Sequence, residues 1–581
     1  MCLARAGAQV PSASSLIDSY IERWADFYPS EAFAYGDTQR AASFERYTRE
    51  RVQRWLEFNH STSRLAAKAL SQPPEGSAGT DLRVLKAQAD NELAQWSENQ
   101  PATHQPQWYA EQISQALTSL LVREQLDPQS RSDALQARLT GVAQLARDAR
   151  SQLIGGNVWR TGRARRTLAG VAAFYRDSLP DLVADWPAPG SGASIEVAIA
   201  DALDAITALD SFLEQEILPK ADASVSIGAD VYATKLSRRT AGAYNPDKLR
   251  AVALEEVRET RRLMIDQTRR WHAQAGVKTS DDKSANDLSD KHVLDVGLEA
   301  MEAARDSNSA DFLASFQRLT RAAELFVEEQ QIATVPKPTT LYVQLSPAHF
   351  SGAAVGGVYP SGPFDPGADT LFYVPSVPDS APADAKEGFY RSFNTHFNTM
   401  IISHEMFPGH YLQYKVAVAQ APALRSLFPS GSYVEGWGSF VEELMLDAGW
   451  ADNAPLTRLA HLRKRLENAT RAYVSVQVNT AGWGQDEVLA FARDEGLLAP
   501  QFAENLWQRV VNTPMQITDY MTGYLEFKRL FAQYQAHARD NSESDKTVAL
   551  KPWVDAVLRA GPLPFMLLET ALSPLHNPVG D

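Results

Sequence analysis

The stretch His404-Glu405-Met406-Phe407-Pro408-Gly409-His410 brings two imidazoles and a carboxylate within seven residues. Imidazole nitrogen is a good zinc ligand. In a helical His-Glu-x-x-His the two rings fall one turn apart on one face, and the Glu beside the first ring can take a proton from water held at the metal. Here the second histidine follows the first by six residues instead of four. Six residues of unbroken α-helix turn through about 600°, which leaves the side chains about 120° apart and too divergent to share an ion. Pro408 supplies a remedy. It cannot donate to the carbonyl of His404 and its ring clashes there, so the helix has to bulge or kink. Gly409 can absorb the resulting strain. With Phe407 and Pro408 looped out, the remaining His-Glu-Met-Gly-His has the ordinary spacing, whereas a straight helix would rule the site out.

Zinc in a hydrolytic site takes three protein ligands and keeps its fourth position for water. In the gluzincin class of zinc hydrolases the third ligand is a Glu on a later helix. The best candidate is Glu435, 25 residues after His410, in Tyr433-Val434-Glu435-Gly436-Trp437-Gly438-Ser439-Phe440-Val441-Glu442. Gly436 and Gly438 would each cost a helix interior up to about 1 kcal/mol, which makes sense if this helix packs tightly against the metal-bearing one. Glu442, two turns further along the same face, can orient a ligand histidine from behind. Glu435 also has a rival role, because Ser432-x-x-Glu435 forms a capping box, and a His-Glu pair on a helix is commonly a surface accident. The order and separation of His-Glu, His and Glu around a Pro-Gly step favour the metal. His349 and His396 stand near enough upstream to neighbour such a site. His60, His104, His272, His292, His461, His537 and His576 occupy ordinary helical or loop contexts and read as structural.

Helices must carry these residues, and most of the sequence reads as helix. Segments near 13–58, 81–98, 107–125, 130–153, 193–217 and 246–275 repeat apolar residues at three- and four-residue spacing. Asn245-Pro246 reads as an N-cap with Pro at the first helical position, opening a helix that ends near Gln274. Loop signals lie at Pro73-Pro74-Glu75-Gly76-Ser77, Trp186-Pro187-Ala188-Pro189-Gly190 and the polar run from Lys278 to Asp287. Thr340-Leu341-Tyr342-Val343-Gln344-Leu345 and Thr370-Leu371-Phe372-Tyr373-Val374 are rich in β-branched and aromatic residues and read as strands. Between them, Gly356, Gly357, Gly362 and Gly367 mark turns or close backbone approach. The fold class expected is mainly α with one small β-sheet just upstream of the metal motif. The chain divides into 1–12, a helical region 13–334, a small β/loop segment 335–388 and a helical region 389–581, or else forms one continuous domain 13–581.

Composition excludes several functions. The chain has 581 residues, 44% hydrophobic and 22% charged, with a formal net charge of -15. No Lys/Arg cluster is large enough to displace counterions from a polyanion, so nucleic acid is not an expected partner. No stretch approaches the roughly 20 apolar residues of a transmembrane helix. Cys2 is the only cysteine, which leaves neither an internal disulfide nor a thiolate metal site. Ala6-Gly7-Ala8 before Gln9 looks like the small-residue end of a secretory signal without its apolar core. Two accounts fit the first twelve residues: the remainder of a signal peptide, which makes the protein periplasmic or otherwise extracytoplasmic, or a chance Ala-rich, disordered terminus of a cytoplasmic one.

Phe397-Asn398-Thr399 followed by His404-Glu405-Met406-Phe407-Pro408-Gly409-His410-Tyr411-Leu412-Gln413 resembles the signature of the bacterial domain-of-unknown-function 885 family, whose members are regarded as zinc peptidases and typically carry His-Glu-Ala-Phe-Pro-Gly-His-His-Leu-Gln. Its Glu-Gly-Trp and Tyr-x-Glu block is matched by Glu435-Gly436-Trp437 and Phe440-x-Glu442. Its Pro-x-Gln-x-x-x-Tyr-x-x-Gly block is matched by Pro514-Met515-Gln516 through Tyr520 to Gly523, and a weaker echo lies at Pro29 to Asp37. The metal motif also looks like that of angiotensin-converting enzyme and related helical gluzincins with two residues inserted. The resemblance implies a gluzincin-like fold with a deep cleft, one wall of it from 13–334, and a short strand for a peptide to lie against. It implies His404, His410 and Glu435 as zinc ligands and Glu405 as general base. Tyr520 is implied as the hydroxyl that stabilises the oxyanion, although it also reads as a core tyrosine of an amphipathic helix. Gln413, Gln516 and Glu442 would support the ligands or touch substrate. Ser475 and Asn479 stand where the family often has Asp and His, Tyr411 replaces a His and Phe440 a Tyr. These departures put substrate specificity in doubt.

The function expected is therefore hydrolysis of peptide bonds, in short peptides, by a Glu-activated water at a zinc ion. Two alternatives stay open: a zinc amidase for a non-peptide or modified amino-acid substrate, and a non-catalytic peptide-binding protein. An intact Glu405 argues against the last.

Overall fold

Helix dominates the chain, with 74% of residues helical and 3% in strands. The computed structural model describes residues 11–576 except 73, 75, 124, 193, 276–288, 347–356, 379 and 541–547. His349, Gly356, the polar run near 278–287 and the signal-like Ala6-Gly7-Ala8 lie outside the described residues.

The chain gathers into two compact units. One comprises residues up to Ser224 together with Ser361–Ala368 and Pro422–Phe428. The apolar periodicity near 13–58 continues across three helices, Ala13–Phe27, Pro29–Ala34 and Arg49–Leu70. Pro29 can start a helix but not continue one. Gly36, at φ +100°, breaks the next, and a Cβ there would meet Asp365 at 2.7 Å. In this unit Phe27 stacks on Trp55 with ring centroids 4.8 Å apart, and buried Arg425 donates to Asp81 at 2.7 Å.

The other unit comprises Val225–Pro360, Asp369–Ala421 and Pro429–Asp581. The division thus falls at 224/225, whereas the sequence suggested 334/335. The reason is α1, Pro246–Ala275, which packs along the later helix α6, Pro455–Ala481. Leu249, Ala253, Val257 and Met264 recur at helical spacing on α1 and are buried with Leu459, Leu466, Ala469 and Val476 of α6. Asn245 caps α1 as its sequence suggests, its Oδ1 accepting from Lys248 N–H at 2.8 Å.

Between these helices run α2, Ser309–Glu329, and three strands, β1 Leu341–Leu345, β2 Gly357–Tyr359 and β3 Thr370–Val374. β3 lies in the middle, parallel to β1 and antiparallel to β2. Both strands read from sequence are present. The third, β2, falls where the glycines suggested only turns, because three residues are too few to show an alternating pattern. The elements that hold the candidate site follow: α3 Thr395–Glu405, α4 His410–Gln420, α5 Gly431–Asp447, then α6, and α7 Asp519–Asp540. Among the described residues no helix is long and apolar enough to cross a membrane.

Candidate metal centre

Asn394 caps the start of α3, accepting from Phe397 N–H at 3.0 Å, and the helix stops at Glu405. Met406 leaves the helical region at φ -120°, ψ -80°, and a new helix starts at His410. The Pro408 step therefore divides one expected helix into two, where the sequence suggested a local bulge that restores ordinary spacing. Gly409 is required for a different reason than strain relief: a Cβ there would lie 1.9 Å from the carbonyl oxygen of His404 and 2.4 Å from that of Ser403. This close approach folds α4 back against the end of α3, and the rings of His404 and His410 meet with centroids 4.8 Å apart at 81°.

Glu435 completes the group. Its Oε2 lies 3.8 Å from His404 Nε2 and 3.8 Å from His410 Nε2, and the three ligand atoms all fall within 4.8 Å of one another. The capping box that rivalled this role is not formed. Ser430, not Ser432, holds the N-cap position of α5, and Ser432 Oγ donates to Asp519 Oδ1 at 2.8 Å. The two glycines of α5 do different work. A Cβ on Gly438 would strike the His404 ring at 2.6–2.8 Å, so Gly438 makes room for the imidazole. A Cβ on Gly436 would strike the Gly523 backbone at 2.4 Å, so Gly436 serves the packing of α5 on α7 rather than on the metal-motif helix.

Hydrogen bonds orient both rings. Glu442 Oε1 lies 2.8 Å from His404 Nδ1 and Gln413 Oε1 lies 3.2 Å from His410 Nδ1. Both oxygens can only accept, so each Nδ1 carries a proton and each Nε2, on the side of Glu435, is the nitrogen left to ligate a metal. Glu442 in turn accepts from His461 Nδ1 at 2.9 Å. His461 thus belongs to the network behind the site and is not the ordinary core histidine its context suggested. Its helix α6 is buried on most of its circumference, so no amphipathic contrast marks the position.

Electrostatics favour a cation among these groups. Burial alone would lower the pKa of His404, yet Glu435 and Glu442 outweigh it and raise it to about 10. Burial likewise works against ionised Glu435, and the two imidazoles 3.8 Å away hold its carboxyl far below the usual range. Two imidazoles beside a buried carboxylate form a donor set suited to a divalent ion.

A pocket of about 270 Å³ opens onto this group, lined by Val358, Ile401, His404, Glu405, His410, Tyr414, Val434, Glu435, Lys464 and Tyr520. Glu405 is partly exposed. Tyr520 reaches the pocket from α7, and Gln516 Nε2 lies 3.3 Å from its hydroxyl and 3.5 Å from Glu435 Oε1. Burial and the Glu435 carboxylate push the Tyr520 hydroxyl upward in pKa, against Arg471 and Arg509, so it remains protonated. Lys464 is a pocket residue that sequence reasoning missed, one charge within the run Arg463-Lys464-Arg465.

The remaining candidates lie elsewhere. His396 Nδ1 pairs with Thr457 Oγ1 at 3.0 Å and is outside the ligand group. Ser475 bonds Tyr232 and the carbonyl of Pro514, and Asn479 accepts from Ile227 N–H at 3.0 Å. Tyr411 accepts from Thr340 N–H, and Phe440 packs among Trp437, Phe527 and Trp553. None of these four departures lines the pocket, so the doubt they cast on specificity has no direct contact behind it.

A mainly helical protein with a His-His-Glu group at the junction of two short helices is the class that fold and site define. The chain belongs to the family described as "Bacterial protein of unknown function (DUF885)", which it matches over residues 29–572. No curated protein matches it. Two solved structures share its fold, each described as a putative lipoprotein. One, of unknown function, is from Shewanella oneidensis, with TM-score 0.77 and 19% identity over 97% of this chain and 100% of that one. The other is from Colwellia psychrerythraea, with TM-score 0.76 and 15% identity over 98% and 100%.

Proposed function

We propose that the protein is a zinc-dependent peptidase whose ion is held by His404, His410 and Glu435. The observation that carries this reading is the convergence of both Nε2 atoms and a Glu435 oxygen within 4.8 Å, in one pocket with Glu405. Two imidazoles and a carboxylate are a familiar hydrolytic zinc set, and separations of 3.8 Å suit ligands that each stand ~2.0–2.2 Å from one ion. Bound there, zinc supplies Lewis acidity, polarising a peptide carbonyl and making nearby water more acidic.

The chain's own residues do the rest. Glu405 accepts the proton of the attacking water at a carboxylate oxygen and later delivers it to the leaving amine nitrogen. Tyr520 donates its hydroxyl proton in a hydrogen bond to the oxygen that becomes negative. Glu442 and Gln413 fix the two rings, and Gln516 steadies Glu435 and Tyr520. Val358 brings β2, an outer strand of the sheet, to the pocket, where an extended peptide can pair with its backbone. We also propose an extracytoplasmic location, supported by the description of two solved structures of this fold as putative lipoproteins.

Metal analysis of the purified protein tests the reading. About one zinc per chain is expected, with cleavage of a mixed short-peptide library read by mass spectrometry, and both lost in His404→Ala. Protein that takes up no zinc even when it is supplied would overturn the ligand assignment. Replacing the support is expected to weaken the site without removing a ligand. Glu442→Gln keeps the shape but drops the charge behind His404, so zinc affinity measured by chelator competition should fall about 10–100-fold. An affinity equal to the parent's would show that Glu442 only fills space.

A further inference from the structure

Lys464 projects from α6 into the wall of the same pocket as His404, Glu405 and Glu435. Its nitrogen lies 6.0 Å from the centre of the Tyr520 ring, which the guanidiniums of Arg471 and Arg509 approach to 5.2 and 5.7 Å. Three cations therefore gather about one tyrosine in a protein whose formal net charge is -15. Two of them are engaged by the protein: Arg471 pairs with Glu467 and donates to Asn468, and Arg509 donates to Gln516 Oε1 at 2.7 Å. Lys464 is not. Among the described residues no carboxylate stands within 4.0 Å of its nitrogen and no hydrogen bond engages it.

An ammonium partly removed from water without an acceptor is unfavourable, and nearby guanidiniums make it more so. Burial pushes the Lys464 pKa down; Glu467 opposes that and Arg471 reinforces it. A bound anion would reverse the balance, since it restores the lost solvation and relieves the repulsion among the three cations. Lysine meets such a partner as a point charge with rotatable donors. Among peptides the available anion is a carboxylate, at the C-terminus or on an acidic side chain.

We infer that Lys464, backed by Arg471 and Arg509, is the binding site for a substrate carboxylate, an assignment that rests on the peptide-hydrolase reading above. The pocket then selects short peptides that carry a carboxylate close to the bond to be cut.

Three matched peptides separate the sources: a neutral peptide acid, its C-terminal amide, and the amide with Glu in place of a neutral residue. The parent is expected to favour one carboxylate-bearing form over the neutral amide by about 10–100-fold in kcat/KM, mostly through KM, as for a hydrogen bond to a charged group. Preference for the acid identifies the C-terminal carboxylate, and preference for the Glu-containing amide identifies a side chain. In Lys464→Met the preference ratio should fall to near one, and Lys464→Arg should restore part of it. A parent without preference, or a Lys464→Met protein that keeps the parent's ratio, overturns the inference.

Calorimetric binding of N-acetyl-dialanine and its amide to zinc-loaded Glu405→Gln protein, with and without Lys464→Met, gives a readout independent of turnover. The acid should bind at least ~10-fold more tightly only when Lys464 is present, a difference that a carboxylate held by the metal alone would not produce. If no peptide is cut but this difference appears, the carboxylate site stands and the peptidase reading falls. If peptides are cut but the difference is absent, the reverse holds.

Discussion

Glu405→Gln should keep about one zinc per chain and lose peptide hydrolysis by about 10²–10⁴-fold. Glu405 is the last residue of α3, directly after His404, and it faces the pocket without belonging to the three-ligand group. Gln has nearly the same volume and can donate and accept hydrogen bonds, but it cannot hold a proton between water and the leaving amine. The loss is therefore expected in kcat, with KM little changed, because the interaction removed is made in the transition state. Two measurements decide the matter: metal content by mass spectrometry, and kcat on a peptide drawn from the library. A variant with the parent's kcat would remove Glu405 from the chemistry. A variant that no longer binds zinc would make Glu405 a ligand instead of a base.

How much of this was legible in the sequence depended on the kind of signal each residue leaves. His404, Glu405, His410 and Glu435 were readable because their order and separation carry chemical meaning before any packing is known, and Pro408 announced a break by its missing N–H. Two strands and the start of α1 were readable from local composition and capping. His461 and Lys464 were not. Periodicity tells which residues of a helix share a face but not what that face meets, and α6 buries Asn468, Ser475 and Asn479 along with its apolar residues. The division between units was equally hidden, because it follows from α1 pairing with a helix some two hundred residues later. Gly436 and Gly438 looked alike in sequence, and only the neighbours Gly523 and His404 separate their roles.

The backbone at Gly409 is the other place where a single atom should have a large effect. Gly409→Ala is expected to reduce zinc affinity by more than about 100-fold, beyond the usual loss from an outer support, and to lower the unfolding temperature. Gly409 is the N-cap of α4, a position where Ala is disfavoured relative to Gly, so helix propensity offers the substitution no gain. A Cβ there would also stand 1.9 Å from the His404 carbonyl oxygen, and the atom it meets is backbone with no rotamer to escape into. The α3–α4 junction must open, and because His404 and His410 sit on opposite sides of it, their nitrogens part. Gly388→Ala is the matched control: Gly388 lies inside the helix Ala383–Ser392, and a Cβ there would meet nothing within 4 Å, so the same substitution should be neutral or slightly stabilising. Chelator competition and thermal unfolding of the two variants, with helix content checked by circular dichroism, distinguish local from general effects. If Gly409→Ala holds zinc as tightly as the parent, the close approach of α4 to the end of α3 is not what brings the two histidines together.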